Sequence, residues 1–494
     1  MRNKKVIVIG AGFAGLSAAS LMAKNGYEVH LFEKNNIPGG RVAIWQIDGF
    51  TFDMGPSWYW MPEVFEEFFA QFNKKVSDYY SLSRLNPSYR IYFAENDFID
   101  IPASLVELES LFESIEPGSS KKLKEFLKLA EYKYNTGMKE YVIKPSLSVT
   151  EYFDFSLLKE TFRIQLLQSL KNHIRKYFSH PKLIRILEFP VLFLGSTPAQ
   201  SPALYSMMNY ADLVLGTWYP EGGIYKVVEA MYKIALENGV QFYFNMPVKS
   251  INTKNGKAVS VSAGSEEYFA DAVISGSDYH HTETKLLNSA DRSYSDKYWE
   301  SRIMSPSSLL FYIALDGKVQ NIRHHSLFFD ESFDDHASQI YGNPQWPERP
   351  LFYLSAPTQT DSTIAPAGKE ILTFLIPLAS GLKDSAELHE KYFRIICERF
   401  YKLTGNDISG KILFKRSFCL DDFTNNYNSF KGNAYGLANT LSQTAIFKPK
   451  MKSKKVENLF YAGQHTVPGP GVPPAIISGQ IAASEAGKYL KNHL

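Results

Sequence analysis

Hydrophobic positions change period several times along the chain, and each change marks an element. Val6 to Ile9 form an unbroken apolar, β-branched run, the pattern of a parallel strand buried on both faces. Leu16 to Asn25 are rich in Ala, Ser and Leu and are closed by Gly26, which predicts a helix, and Tyr27 to Phe32 predict a second strand. Val64, Phe65, Phe68, Phe69 and Phe72 recur at helical spacing. Tyr89 to Phe93 and Phe98 to Ile101, joined by Glu95-Asn96-Asp97, predict a hairpin that begins a second sheet. Residues 103 to 194 read as mostly helical, with breaks at Pro117-Gly118, Pro145 and Pro181.

After Tyr219-Pro220-Glu221-Gly222-Gly223, a helix runs to Asn238-Gly239 and a strand follows from Val240 to Ile251. Ala272 to Ser275 is another buried strand, and Gly276-Ser277-Asp278 its turn. Leu309 to Leu315, Leu351 to Leu354 and Glu370 to Ile376 extend the second sheet, and Glu387 to Leu403 is helical. Asn458 to Gly463 is a last parallel strand. Gln464 to Pro474 is a Gly/Pro turn that launches a helix with small residues at Ala475, Ser478, Gly479, Ala482, Ala483 and Ala486. Repeats and low-complexity tracts are absent.

Composition narrows the class. At 494 residues the chain exceeds one ordinary core, so two interleaved domains are expected. A hydrophobic fraction of 45% with 21% charged residues is globular. The 30 Tyr and 35 Phe are many for a soluble enzyme and suggest something long and apolar to line. A net charge of +2 gives no reason to expect nucleic acid. Cys397 and Cys419 alone supply neither a disulfide framework nor a cysteine metal site, which fits a reducing compartment. Met1 to Lys5 run directly into the first strand, so no signal peptide is expected, and no apolar run is long enough to span a bilayer.

Twelve basic residues against six acidic between Lys121 and Lys176 give that segment a local balance of +6. Interleaved aromatic and aliphatic residues there fit either helices lying in an anionic lipid interface or an ordinary solvated face. Trp58-Tyr59-Trp60 fit either an aromatic core or a cavity wall. His280-His281 and His324-His325 lack acidic or cysteine company at ligand spacing and read as hydrogen-bonded or solvated histidines.

Chemistry enters at the first strand. Gly10-Ala11-Gly12-Phe13-Ala14-Gly15 has the form G-x-G-x-x-G between strand and helix. Gly10 makes the turn, Gly12 lets backbone approach a pyrophosphate, and Gly15 lets the helix pack closely. The phosphates would sit on the helix N-terminus, where unpaired amides and the dipole favour an anion. Glu33, ending the second strand, is placed to accept hydrogen bonds from a ribose and to repel a 2′-phosphate. Pro473 or Pro474 suits the first turn of the last helix, whose N-terminus would stabilise negative charge on a bound ring.

Gly39-Gly40-Arg41 followed by Gly49-Phe50-Thr51-Phe52-Asp53-Met54-Gly55-Pro56 resembles the second signature of flavoproteins that include amine oxidases, Rab escort proteins and carotenoid desaturases. The resemblance implies that the cofactor is FAD, that Arg41 lies on its phosphates, and that Asp53 to Pro56, with Gly55 and Pro56 among its contacts, run beside the flavin. It also implies that Val248 offers backbone groups to the adenine. Gly463 and the run from Thr466 through Gly471-Val472-Pro473 resemble the C-terminal signature of bacterial-type phytoene desaturases and related carotenoid desaturases. Gln464-His465, Val467 and Pro474 depart from the usual G-A-G-T-H-P-G-A-G-I-P-G, and Val467 removes any histidine from that point.

The fold so implied is α/β: a Rossmann-like FAD-binding domain of the amine oxidase/phytoene desaturase type (1–80, 216–300, 451–494) interleaved with an α+β substrate domain (81–215, 301–450). The activity implied is FAD-dependent desaturation of a C40 carotenoid precursor, phytoene above all, in the cytoplasm at a membrane surface, with no metal and no assigned catalytic side chain. Other readings of the resemblance are a late carotenoid 3,4-desaturase, a carotene isomerase, an amine oxidase, or a prenyl-binding protein of the escort kind. Intact Glu33 and Arg41 favour an enzyme.

Overall fold

The computed structural model describes residues 4–152 and 168–493. Its first sheet has five strands, all parallel, in the order Leu459–Tyr461, Ala272–Ser275, Lys5–Ile9, Glu28–Phe32, Gln241–Tyr243. Val6, Val8 and Ile274 are fully buried, as the continuous apolar runs require of strands covered on both faces. Helix Phe13–Lys24 lies on this sheet with every residue from Phe13 to Met22 buried, and ends at Asn25 and Gly26, the latter at φ 84°. Helix Val472–Asn492 crosses it at backbone distance. A Cβ on Gly479 would stand 2.3 Å from the Ala14 carbonyl oxygen, so the small residues there are a condition of the packing. Ser17 Oγ donates to Ile476 O at 2.8 Å across the same seam.

The second sheet has seven strands in the order Ile412–Phe418, Ser307–Leu315, Glu370–Leu378, Phe352–Ser355, His325–Phe328, Tyr89–Ala94, Asp97–Ile101. Its pairs are antiparallel except that of His325–Phe328 with Tyr89–Ala94. Ser307–Leu315, buried at all nine positions, is the spine of its core. The apolar stretch from Val240 to Ile251 does not make one strand. It divides at Phe244 to Pro247 into Gln241–Tyr243 in the parallel sheet and Val248–Lys254 in a separate three-stranded antiparallel sheet, because Pro247 has no amide to continue a ladder.

Helices Leu105–Ile115, Ser119–Thr136, Leu170–Ile174 and Pro181–Glu188 form the predicted helical region, with Pro181 in a first turn. The basic segment is less uniform than its charge count. Lys121, Lys124 and Lys128 are exposed, but Lys133 is fully buried. Its Nζ donates to Ala203 O at 2.9 Å and Ser206 Oγ at 3.1 Å, and burial pushes the ammonium down to about 7. Lys159, Arg163, Asp154 and Glu160 lie outside the described residues. Among the described residues no helix is long and apolar enough to cross a membrane.

Candidate active site

The loop between strand Lys5–Ile9 and helix Phe13–Lys24 is shaped by its glycines. Gly10 has φ 95°, and a Cβ on Gly15 would stand 1.9 Å from the Gly10 carbonyl oxygen, so helix and loop meet backbone to backbone. Gly12 differs: it starts the helix without a side-chain cap, and nothing lies within 4 Å of where its Cβ would be. The first-turn amides of the helix therefore face open space. Gly40 packs against this loop, its Cβ position 3.3 Å from Gly12 Cα, and a Cβ on Gly55 would meet Arg41 O at 2.1 Å.

That open space belongs to a cavity of about 1210 Å³, above the ordinary range for a site holding one small ligand. It is bordered by Gly10, Gly12, Phe13, Ala14, Glu33, Gly40, Arg41, Gly55, Pro56 and Val248, and on the C-terminal side by Gly463, Gly471, Val472 and Pro473. Gly15 lies behind the wall, in the role of spacer, and Asp53 does not reach the cavity: its carboxylate accepts from Ile224 N at 2.7 Å and Tyr225 N at 3.0 Å. Gly471, at φ 115°, starts the C-terminal helix, again without a side-chain cap, and Pro473 occupies its first turn. Two helix N-termini thus border one cavity.

Glu33 is buried, with Oε2 accepting from Ala11 N at 2.8 Å and Oε1 from Asn35 N at 2.9 Å. Burial raises its pKa and these two amides oppose the rise. Each oxygen keeps a lone pair for a hydroxyl. Arg41 donates from Nη2 to Ser429 Oγ at 3.0 Å and lies 5.6 Å from the Tyr427 ring centroid, while its Nε is buried without a partner. An orphaned guanidinium donor beside uncapped helix amides is the donor set a diphosphate satisfies, so the residues present fit a dinucleotide. Asp278, after strand Ala272–Ser275, adds a buried carboxylate 3.7 Å from His465 Nδ1. Burial pushes His465 down to about 4.

Asp278, Tyr427 and Ser429 were not singled out from the sequence. Asp278 carried a usable signal, since an acid in the turn after a buried parallel strand is placed much as Glu33 is after its own. Tyr427 and Ser429 carried none, being brought to Arg41 from almost 400 positions away.

Beyond the cradle the cavity becomes apolar. Trp58, Trp60, Phe189, Leu327, Phe329 and Phe333 border it, so both tryptophans are wall residues. Tyr59 between them is core, its hydroxyl 3.0 Å from that of Tyr80. The wall also includes the wide helical turn Gly137–Tyr141 with Met138, and Met207 and Met208. Asp384, His389 and Cys419 also gather ligand-type atoms, but His389 already bonds Asp384 Oδ1 at 2.6 Å and Ser417 Oγ at 2.9 Å, and these bonds account for the grouping.

A dinucleotide cradle opening into an aromatic chamber defines a class before any comparison, that of dinucleotide-binding proteins with an apolar chamber beside the cofactor site. The family described as flavin containing amine oxidoreductase matches residues 13–486. A carotenoid 3,4-desaturase of Haloarcula japonica is 38% identical over 98% of both chains. A zeta-carotene-forming phytoene desaturase of Myxococcus xanthus is 31% identical over 97% of this chain and 93% of its own. Cyclohexylamine oxidase from Brevibacterium oxydans shares the fold at TM-score 0.60, with 14% identity over 99% of this chain and 100% of the other. The chain belongs to the flavin-containing amine oxidoreductase family, among its carotenoid desaturases. It is a flavin-dependent oxidoreductase.

Proposed function

We propose that the protein binds FAD in the cradle and removes two hydrogens from adjacent carbons of a C40 carotenoid held in the apolar chamber. The observation that carries this reading is the continuity of one cavity of about 1210 Å³ from Glu33 and Arg41 to Phe329 and Phe333. Bound there, FAD supplies the hydride acceptor. The chain's own part is to seat it and the polyene against each other. Glu33 receives ribose hydroxyls, and Arg41 with the amides after Gly12 takes the diphosphate. The amides after Gly471 favour charge that appears only during reaction, so they act on turnover more than on binding. The aromatic wall excludes water, which a hydrocarbon substrate gives no reason to admit.

The position of the new double bond divides two readings. The higher identity to a relative named for 3,4-desaturation supports late action on an already conjugated carotenoid. The relative named for zeta-carotene formation supports phytoene, with more unsaturated carotenes such as lycopene as products. Expression in bacteria that accumulate phytoene, and in bacteria that accumulate lycopene, followed by pigment chromatography, separates the two. No new pigment in either host would sink both. The same reading has the protein working in the cytoplasm from a membrane surface, because the substrate dissolves only in lipid and Lys121, Lys124 and Lys128 present exposed positive charge.

A further inference from the structure

One polar set in the chamber wall is unused by everything above. Strands His325–Phe328 and Phe352–Ser355 are antiparallel, with His325 opposite Ser355, so His325 and Tyr353 are diagonal neighbours on one face. Tyr353 Oη lies 2.7 Å from His325 Nδ1 and 2.7 Å from Ser57 Oγ. Ser57 and Tyr353 border the cavity, and His325 is fully buried behind them with Nε2 unpartnered. Ser57 follows the Gly55-Pro56 turn packed on Arg41, which puts the set at the seam between cradle and chamber. Ser355 also hydrogen-bonds the phenol oxygen. With His325 Nδ1 unprotonated, the phenol donates to the imidazole and accepts from Ser57. The hydrogens then run from Ser57 to Tyr353 to His325, away from the chamber.

We propose that Ser57, Tyr353 and His325 form a relay that takes up the proton released in desaturation. The inference rests on the desaturase reading above. Loss of hydride to the flavin leaves a cation on the substrate, and the C–H bond on the neighbouring carbon then breaks. Its electron pair closes the new double bond and its proton binds Ser57 Oγ. The Ser57 proton moves to Tyr353 Oη and the Tyr353 proton to His325 Nδ1, leaving a neutral alkene, neutral serine and tyrosine, and an imidazolium. A C–H next to a cation is acidic enough for so weak a base. The imidazolium is stacked on the Trp58 indole, centroids 4.1 Å apart at 12°, a cation–π seat. Burial and His324 keep the imidazole from holding its extra proton. It returns through Tyr353 and Ser57 to a cavity of about 20 Å³ where Ser57, Ser355 and Asp53 are among the bordering residues, room for one water molecule.

The test has two arms. In protein labelled with nitrogen-15 histidine, His325, assigned by its loss in His325→Gln, should show an unprotonated Nδ1 and a protonated Nε2. A proton on Nδ1 reverses the chain and overturns the relay. In the second arm Tyr353→Phe, which keeps the ring, should lower kcat at least tenfold with KM and flavin content unchanged. A deuterium label on the carbon that loses the proton should also slow the variant more than the wild type, because proton loss has become limiting. An active wild type with an equally active Tyr353→Phe sinks the relay alone. A wild type that desaturates no carotenoid removes the activity and the relay with it.

Discussion

At Gly15 and Gly479 one added methyl group would meet a backbone oxygen at 1.9 and 2.3 Å, whereas the helical part of the adjoining cavity's wall is made of side chains such as Met138, Met207 and Met208. In the cradle, position is set by backbone against backbone, which has no alternative arrangement. In the helical wall it is set by filling volume with flexible thioethers, which have many. The contrast teaches that one ligand needs a fixed seat and the other only a shaped one. Substitutions should therefore act abruptly in the cradle and by degrees in the wall.

Gly15→Val should have the largest effect, with little folded protein recovered and no flavin bound. Gly12→Ala, where a Cβ has open space, should fold normally and lose flavin only. Circular dichroism and flavin absorbance of the two side by side decide it, and equal stability would erase the contrast. Next, Gly471→Val places a β-branched residue at φ 115° beside the cavity and should reduce product formation by an order of magnitude or more, with precursor accumulating. Full conversion with flavin retained would mean that this helix is not at the reacting ring.

Glu33→Ala removes a charged acceptor from the ribose position and frees the Ala11 amide. A charge-assisted bond is worth about 1.5 to 3 kcal/mol, so flavin Kd should rise roughly 10- to 150-fold. An unchanged Kd would show that the ribose is held elsewhere.

Acid should strike both regions together. His336 on the chamber side has Nε2 2.9 Å from Pro377 O and accepts at Nδ1 from Leu351 N, so protonation breaks a bond, and burial pushes it, like His465, down to about 4. The unfolded chain, with histidines near 6.5, binds more protons between these values, so stability is lost as pH falls from about 6.5 toward 4. Melting temperature against pH measures this, and His336→Gln should flatten the slope. The smallest effect belongs to the exposed face. Lys121, Lys124 and Lys128 changed to Glu should weaken flotation with anionic liposomes by on the order of 1 kcal/mol per residue, less at high salt. Flotation indifferent to charge would leave the segment an ordinary solvated surface.

What was legible in the sequence follows the same division. A site built from glycines, a strand-ending acid and a helix start is written in short consecutive motifs, and Gly10 to Arg41 come together as their spacing implies. The hairpin from Tyr89 and the spine from Ser307 were legible because period-two and continuous apolar runs leave few choices. Lys133 was counted as surface charge because composition does not say which side of a helix a residue occupies. The Ser57, Tyr353 and His325 contacts join three separate segments, so no local pattern announces them. His324 and His325 read as ordinary hydrogen-bonded residues, a description that holds and leaves out what they face.

The parallel sheet has a further consequence in the time domain. Strand Lys5–Ile9 lies one strand away from Leu459–Tyr461, and Lys4 Nζ donates to Leu490 O across 486 positions. During synthesis at about 5 to 20 residues per second, the first strand and its helix wait roughly 20 to 90 s for the segment that covers them. Until then the apolar flank of helix Phe13–Lys24 is bare to whatever else is near the ribosome. Helix Val472–Asn492 therefore acts as a latch: the backbone-close seam with helix Phe13–Lys24 shuts only once this late segment has been made.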